Sequence, residues 1–135
     1  MLPEISWSQV SATLEEVSDI RILFVAKKWR QMMLFLSPIF IIAEASKARY
    51  GEDSAVKKFY KHADQWELEY ENGSILRAIS FTNADFCGLR ADIVILDEDP
   101  TEQEMNEIIR PLIMSRGPDQ NQHLRPIGIY KAKDE

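Results

Sequence analysis

Cysteine is nearly absent from the chain of 135 residues: Cys87 stands alone. One thiol excludes an intramolecular disulfide and is too few for a thiolate zinc site. Glycine is scarce as well. Gly51, Gly73, Gly88, Gly117 and Gly128 are scattered, and none belongs to a GxxxxGK(S/T) phosphate loop. The greasiest stretch, MMLFLSPIFIIA, is too short for a membrane span and is broken by Ser37-Pro38. The opening MLPEISWSQVSATLEEVSD holds no apolar h-region, so no secretory signal is visible. Positive charge is outnumbered, with 16 Lys and Arg against 22 Asp and Glu and a net charge of -6. That balance argues against a nucleic-acid binder that works by bulk charge, while leaving room for a local basic patch. What is present, 45% hydrophobic and 28% charged residues, is the composition of a globular domain. The length and the missing linkers predict one domain over residues 1–135, in the cytoplasm and without a membrane partner.

The hydrophobic pattern predicts an order of elements. Ser8 to Val17 reads as a helix, with Val10, Leu14 and Val17 at helical spacing. IRILFVA (Ile20 to Ala26) is a nearly continuous branched run, the pattern of a strand covered on both faces. KKWRQMMLFL reads as a helix. Ser37-Pro38 either kinks it or opens a second piece, IFIIAEASKARY, ended by Gly51. Asp53 is a cap for a further helix, SAVKKFYKHA. WELEY and SILRAISF alternate around Asn72-Gly73, a strong hairpin signal. DIVIL (Asp92 to Leu96) reads as a buried strand. TEQEMNEIIRPLIMSR is a helix that Pro111 shortens or kinks, and RPIGIYKA is the last strand. The sum is an α/β fold of three layers, with a mostly parallel sheet and a β-hairpin.

The chemistry concentrates in DIVILDED. An apolar strand ending in acids puts carboxylates at the carboxyl edge of a parallel sheet, where open α/β folds bind ligands. In nucleoside-triphosphate hydrolases the first acid, here Asp97, holds a magnesium-bound water, and the second, Glu98, polarises the attacking water. The plainer reading is that the acids follow a buried strand and cap the next helix, with Asp99 or Thr101 as the capping residue. KKWRQ is the second point of interest. Lys27, Lys28 and Arg30 suit a phosphate or a nucleic-acid backbone, and Trp29 suits stacking, unless it is a partly buried anchor. Lys47, Arg49, Lys57, Lys58 and Lys61 either extend a basic surface or are ordinary solvated positions. His62 and His123 show no metal spacing, and Cys87 has no nearby base.

GLRADIVILDED, preceded by VAKKWRQ and the WELEYENGSILRAISF hairpin and followed by RPIGIYKA, resembles the ATPase core of viral DNA-packaging terminase large subunits. The resemblance covers roughly Ile20 to Lys131, and GLRADIVILDE is its specific part. It implies a partial P-loop ATPase core of the RecA type. Asp97 and Glu98 then form a Walker B pair, and Lys27, Lys28, Trp29, Arg30 and Arg90 are candidates for phosphate or nucleic-acid contact. It also implies a role in viral DNA packaging, host cytoplasm as the location, and DNA or another motor subunit as partner. Magnesium would sit at Asp97, with ATP bound only where another chain supplies the phosphate loop. This sequence departs from the pattern in three places. No Walker A is present, Asp99 stands where the family has alanine, and the last strand does not end in a Ser/Thr-Pro element.

Two other readings follow from the residues. Asp97, Glu98 and Asp99 are an acid cluster of the kind that holds a metal for phosphodiester hydrolysis, as a nuclease or phosphohydrolase does. Alternatively the domain is a protein-interaction module that forms a homo-oligomer through MMLFLSPIFII.

Overall fold

A computed structural model describes residues 2–62, 65–81, 90–113 and 128–133. The apolar run predicted as a covered strand is β2 (Arg21–Ala26), and every residue after Arg21 is buried. Its alternate side chains enter two separate cores. Ile22, Phe24 and Ala26 pack with α1 (Trp7–Glu16) and α2 (Trp29–Tyr50). Leu23 and Val25 face the opposite layer, with Ile109 and Leu112. Burial on both faces is what a run without polar alternation requires.

Among the described residues seven strands form one sheet in the order β1-β7-β6-β2-β5-β4-β3. The short β1 (Glu4–Ile5) lies parallel to β7 (Gly128–Ala132) at one edge. Next come β6 (Ile93–Leu96) and β2, then β5 (Ile75–Ser80), all parallel. β4 (Gln65–Tyr70) and β3 (Val56–Lys61) complete the sheet antiparallel to their neighbours. The chain is therefore a mixed α/β fold with a mostly parallel sheet between two helical layers.

The Asn72-Gly73 hairpin joins β4 to β5 as predicted. Its loop has three residues: Gly73 N–H donates to Tyr70 O at 3.0 Å and Tyr70 N–H to Ser74 O at 2.9 Å. Gly73 takes φ 89°, and a Cβ there would meet the Asp19 carboxylate. Only glycine fits that closing position.

One predicted element differs, and two left between alternatives take a definite form. SAVKKFYKHA is not a helix; its centre is β3, paired antiparallel to β4 with Phe59 opposite Leu68 and Tyr60 opposite Glu67. Val56, Phe59 and Tyr60 favour a strand, and pairing with β4 outweighs the helical tendency of the lysines. The apolar helix is not divided. α2 runs unbroken for 22 residues through Pro38. Proline there removes the N–H that would bond to the Leu34 carbonyl, and Leu34 is 73% exposed, so the missing bond falls on the solvent side of the helix where it is least costly. Together with the turn that follows it, the helical stretch Trp29–Asp53 is long and apolar enough to cross a membrane by length and composition alone. Met32, Phe35, Leu36, Ile39, Phe40 and Ala43 nevertheless pack into the core. The helix after β6 is short and irregular. α3 (Glu102–Glu104) continues as a π-helical turn (Met105–Ile109) and a 3-10 turn (Arg110–Leu112). Pro111 has no N–H to give to the carbonyl of Glu107, which breaks the α-helical ladder there. Cys87, Gly88, Gly117-Pro118 and His123 lie outside the described residues.

Candidate functional site

The strands β2, β6, β7 and β5 are parallel, so their carboxyl ends share one edge of the sheet. β2 leaves that edge into α2 on one face, while β6 leaves it into the irregular helix on the other. Neighbouring strands whose connections part in this way leave a crevice between them, the usual ligand position in an open α/β sheet. Lys27-Lys28 follow β2 and Asp97-Glu98-Asp99 follow β6, so the predicted acids and the KKWRQ cluster meet at that crevice.

Asp97 closes it. Its Oδ1 accepts the backbone N–H of Lys27 at 2.9 Å, and its Oδ2 accepts that of Lys28 at 2.6 Å. Lys28 is the N-cap of α2 and has no side-chain cap bond of its own. The helix entry is thus held by a carboxylate from a different strand, with the sign that a helix amino terminus favours.

The remaining charges pair across the same edge. Lys28 Nζ meets Glu98 Oε1 at 2.9 Å, Lys27 Nζ meets Glu104 Oε1 at 2.7 Å, and Lys131 Nζ meets Asp99 Oδ2 at 3.3 Å. The hydrogen bond to Glu98, and then that carboxylate's charge, hold the Lys28 ammonium above the usual lysine range. The Glu104 carboxyl is held below the usual carboxylate range, chiefly by Lys27 and then by the Thr101 N–H. Thr101 and Glu104 form a reciprocal cap, so Thr101 rather than Asp99 is the N-cap that starts the helix. Lys27 also lies 5.3 Å above the Phe81 ring.

Beside Asp97 opens a cavity of about 410 Å³, lined by Trp7, Gln31, Leu34, Phe35, Pro38 and Lys133 among others. Trp7 begins α1, directly after the N-cap Ser6 that follows β1. Gln31 closes the KKWRQ cluster singled out in the sequence, whereas nothing there marked Trp7 or Lys133; they matter only because β1, β7 and α2 meet at one place. The Thr101-x-x-Glu104 spacing was a readable sign of the capping box that draws Glu104 to Lys27.

Two predicted contact residues sit elsewhere. Trp29 is half-buried and packs against the α1–α2 core, which makes it an anchor rather than a stacking platform. Arg90 precedes β6 and lines a cavity with Arg21 and Arg77 at the amino edge. It is therefore separated from Lys27, Lys28 and Asp97 by the length of the strands. Arg30 is exposed on the first turn of α2. Lys57, Lys58 and Lys61 do not extend the KKWRQ cluster; they lie on edge strand β3, with Lys58 on Glu69 and Lys61 on Glu44. His62 stacks on Tyr60, ring centroids 4.4 Å apart.

As arranged, these residues do not fit a magnesium–triphosphate site. The acid assigned to the ion has both oxygens on backbone amides, the acid assigned to the water is paired with Lys28, and the sequence contains no phosphate loop. Among the described residues no three His, Cys, Asp or Glu side chains converge as a metal site would need. A scan of protein-family models, a search of curated proteins and a search of solved structures found no match to the chain.

Proposed function

We propose that the chain is a terminase-like, P-loop ATPase-derived domain of viral or mobile-element origin. It does not turn over nucleotide by itself and acts as a binding or accessory module of a motor, in contact with DNA or another motor subunit. The order of elements supports this reading. A covered strand enters a helix through VAKKWRQ, a hairpin follows, and GLRADIVILDED ends at the crevice between β2 and β6. The coupling strand of such a core corresponds to β7, hydrogen-bonded beside β6. The single observation that carries the functional part is the double hydrogen bond of Asp97 to the Lys27 and Lys28 amides. A carboxylate spent on holding a helix entry is a fixed part of the framework. Glu98 is paired with Lys28 at the same edge. Fold alone would not license a motor role, so the reading rests on this edge and on the motif order.

A phosphate-release assay on the purified chain with magnesium and ATP tests the proposal. Release at the level of a no-enzyme blank is expected, with Glu98→Gln indistinguishable from the parent. Turnover that disappears in Glu98→Gln overturns the inactive reading and leaves an active Walker B pair in its place.

One observation favours a second reading, self-association through the apolar helix. Leu34, Ile41 and Ile42 are 73%, 64% and 46% exposed on α2, at a spacing that makes one stripe. On a sizing column coupled to light scattering, a dimer mass that falls to monomer in Ile41→Glu supports pairing through α2. A parent that stays monomeric at high concentration removes this reading.

A further inference from the structure

We propose that the free edge of β3 docks an acidic, extended segment of a partner protein, added to the sheet as a further strand. Among the described residues β3 ends the sheet, with β4 on one side only. The opposite edge offers little, because β1 is two residues long. β3 has six residues, and its one irregularity lies at the start, between Val56 and Lys58. No proline interrupts it. The pairing with β4 fixes which backbone groups are open. His62 N–H donates to Gln65 O at 2.8 Å, so the pairs that exchange hydrogen bonds continue at Tyr60–Glu67 and Lys58–Glu69. Phe59 and Lys61 hold the alternate positions, and their N–H and C=O groups point away from β4. Those are the groups that an added strand takes.

Charge selects what can lie there. β3 reads VKKFYK, three cations and no acid. Each lysine already meets a carboxylate of its own chain, but unevenly. Glu69 serves both Lys57 at 3.8 Å and Lys58 at 3.4 Å, while Lys61 meets Glu44 of α2. One carboxylate between two ammoniums leaves a positive surplus on the strand, and solvent-exposed pairs of this kind are weak enough to be shared. A second copy is disfavoured. β3 laid antiparallel on another β3 about Phe59 puts Lys57 opposite Lys61, and like charges directly opposite destabilise a pair. An acidic strand meets the reverse condition, so the charges that reject a copy select it. The sheet already holds one example: β4, QWELEY, sets Glu69 opposite Lys58 and Leu68 opposite Phe59.

Space for side chains lies beside the open backbone. Leu68 faces the α1–α2 core, so Phe59, which is opposite it, lies on that face. Tyr60 and Glu67 therefore share the other face with Lys58. Lys58, Phe59, Tyr60 and Glu67 line a cavity of about 300 Å³. Phe59 and Tyr60 are both exposed, one on each face of the edge strand. A strand added at Phe59 and Lys61 sets alternate side chains against these two rings, with acids in reach of Lys58 and Lys61. The backbone supplies affinity, and the cavity and lysines supply selectivity. This surface stands whether or not the Asp97 edge descends from a motor.

Proton–nitrogen NMR of the whole chain, titrated with a short capped peptide of alternating glutamate and valine, tests the proposal. Saturable shifts are expected, centred on Phe59 and Lys61, whose amides become protected from exchange. The matching lysine–valine peptide should not bind. Lys58→Gln and Lys61→Gln should each weaken the glutamate peptide about two- to fivefold, the value of one cross-strand charge pair. Both lysines are exposed, so an unchanged urea midpoint shows that these variants fold. Lys61→Pro removes an outward donor without touching the ladder to β4, and should weaken binding about tenfold. Arg110→Gln, an exposed cation away from this edge, should bind like the parent. Absence of saturable shifts at millimolar peptide, equal binding of the lysine–valine peptide, shifts centred on α2, or lysine variants that bind like the parent overturn it. Protection of the same amides without peptide, in a chain whose mass doubles with concentration, also overturns it and makes the occupant a second copy.

Discussion

Replacing Asp97 with alanine separates two roles for that residue by the sign of the stability change. In this fold its two oxygens hold the Lys27 and Lys28 amides at the entry of a 22-residue helix. A hydrogen bond to a charged group contributes about 1.5–3 kcal/mol when sheltered, and loss of a helix cap costs about 0.5–2 kcal/mol. Asp97 is only half-buried, so the lower end applies, and Asp97→Ala should cost about 2–3 kcal/mol in total. Asparagine keeps one acceptor oxygen and should cost about 1 kcal/mol. Asp99→Ala, which breaks an exposed pair with Lys131, should stay within about 0.5 kcal/mol. The opposite sign follows if Asp97 serves only to wait for an ion. Three successive acids repel, and removing one charge would then stabilise the fold. Urea unfolding followed by circular dichroism measures the difference against a total stability on the order of 5–15 kcal/mol. A neutral or more stable Asp97→Ala would refute the capping argument.

Two further outcomes test the surrounding framework. Gly73→Ala should cost about 1–2 kcal/mol, because a side chain at φ 89° is strained and its Cβ would displace the Asp19 carboxylate; an unchanged melting temperature would show that the turn relaxes. Burial pushes Tyr70 up to about 12 from an ordinary 10.0. The unfolded chain loses that proton first, so stability is full below pH 10 and falls until about pH 12, by about 1.4 kcal/mol per unit. Tyr70→Phe should flatten this part of the urea-midpoint profile, although the Lys28–Glu98 pair also weakens as lysine deprotonates. A profile identical in Tyr70→Phe would count against the assignment.

The parts that could be read directly were those where local pattern and tertiary environment agree. Ile22 to Ala26 is apolar throughout because both faces of β2 are covered, and Asn72-Gly73 turns because only glycine suits the closing position. β3 was misread because an edge strand carries lysines to solvent, and lysine favours a helix when no partner is known. Pro38 left a kink and a second helical piece both open, because the exposure of Leu34 on the turn before the proline is a fact of packing. The acids were found but not their partners. Asp97 and Lys27 are 70 positions apart, and nothing local shows that β6 lies beside β2. Arg90 was grouped with Lys27 for the same reason. Sequence proximity to DIVILDED hides that a strand has two ends, and Arg90 stands at the one opposite Asp97.

The central claim is that Asp97 is committed to the Lys27 and Lys28 amides rather than to an ion. Proton–nitrogen NMR of those two amides during a magnesium titration, repeated with trace manganese, tests it most directly. The account expects both amides to be protected from exchange, to lose that protection in Asp97→Ala, and to stay unmoved by magnesium and unbroadened by manganese. Saturable magnesium shifts with manganese broadening centred on Asp97 would contradict it, because the carboxylate would then be holding an ion at the crevice.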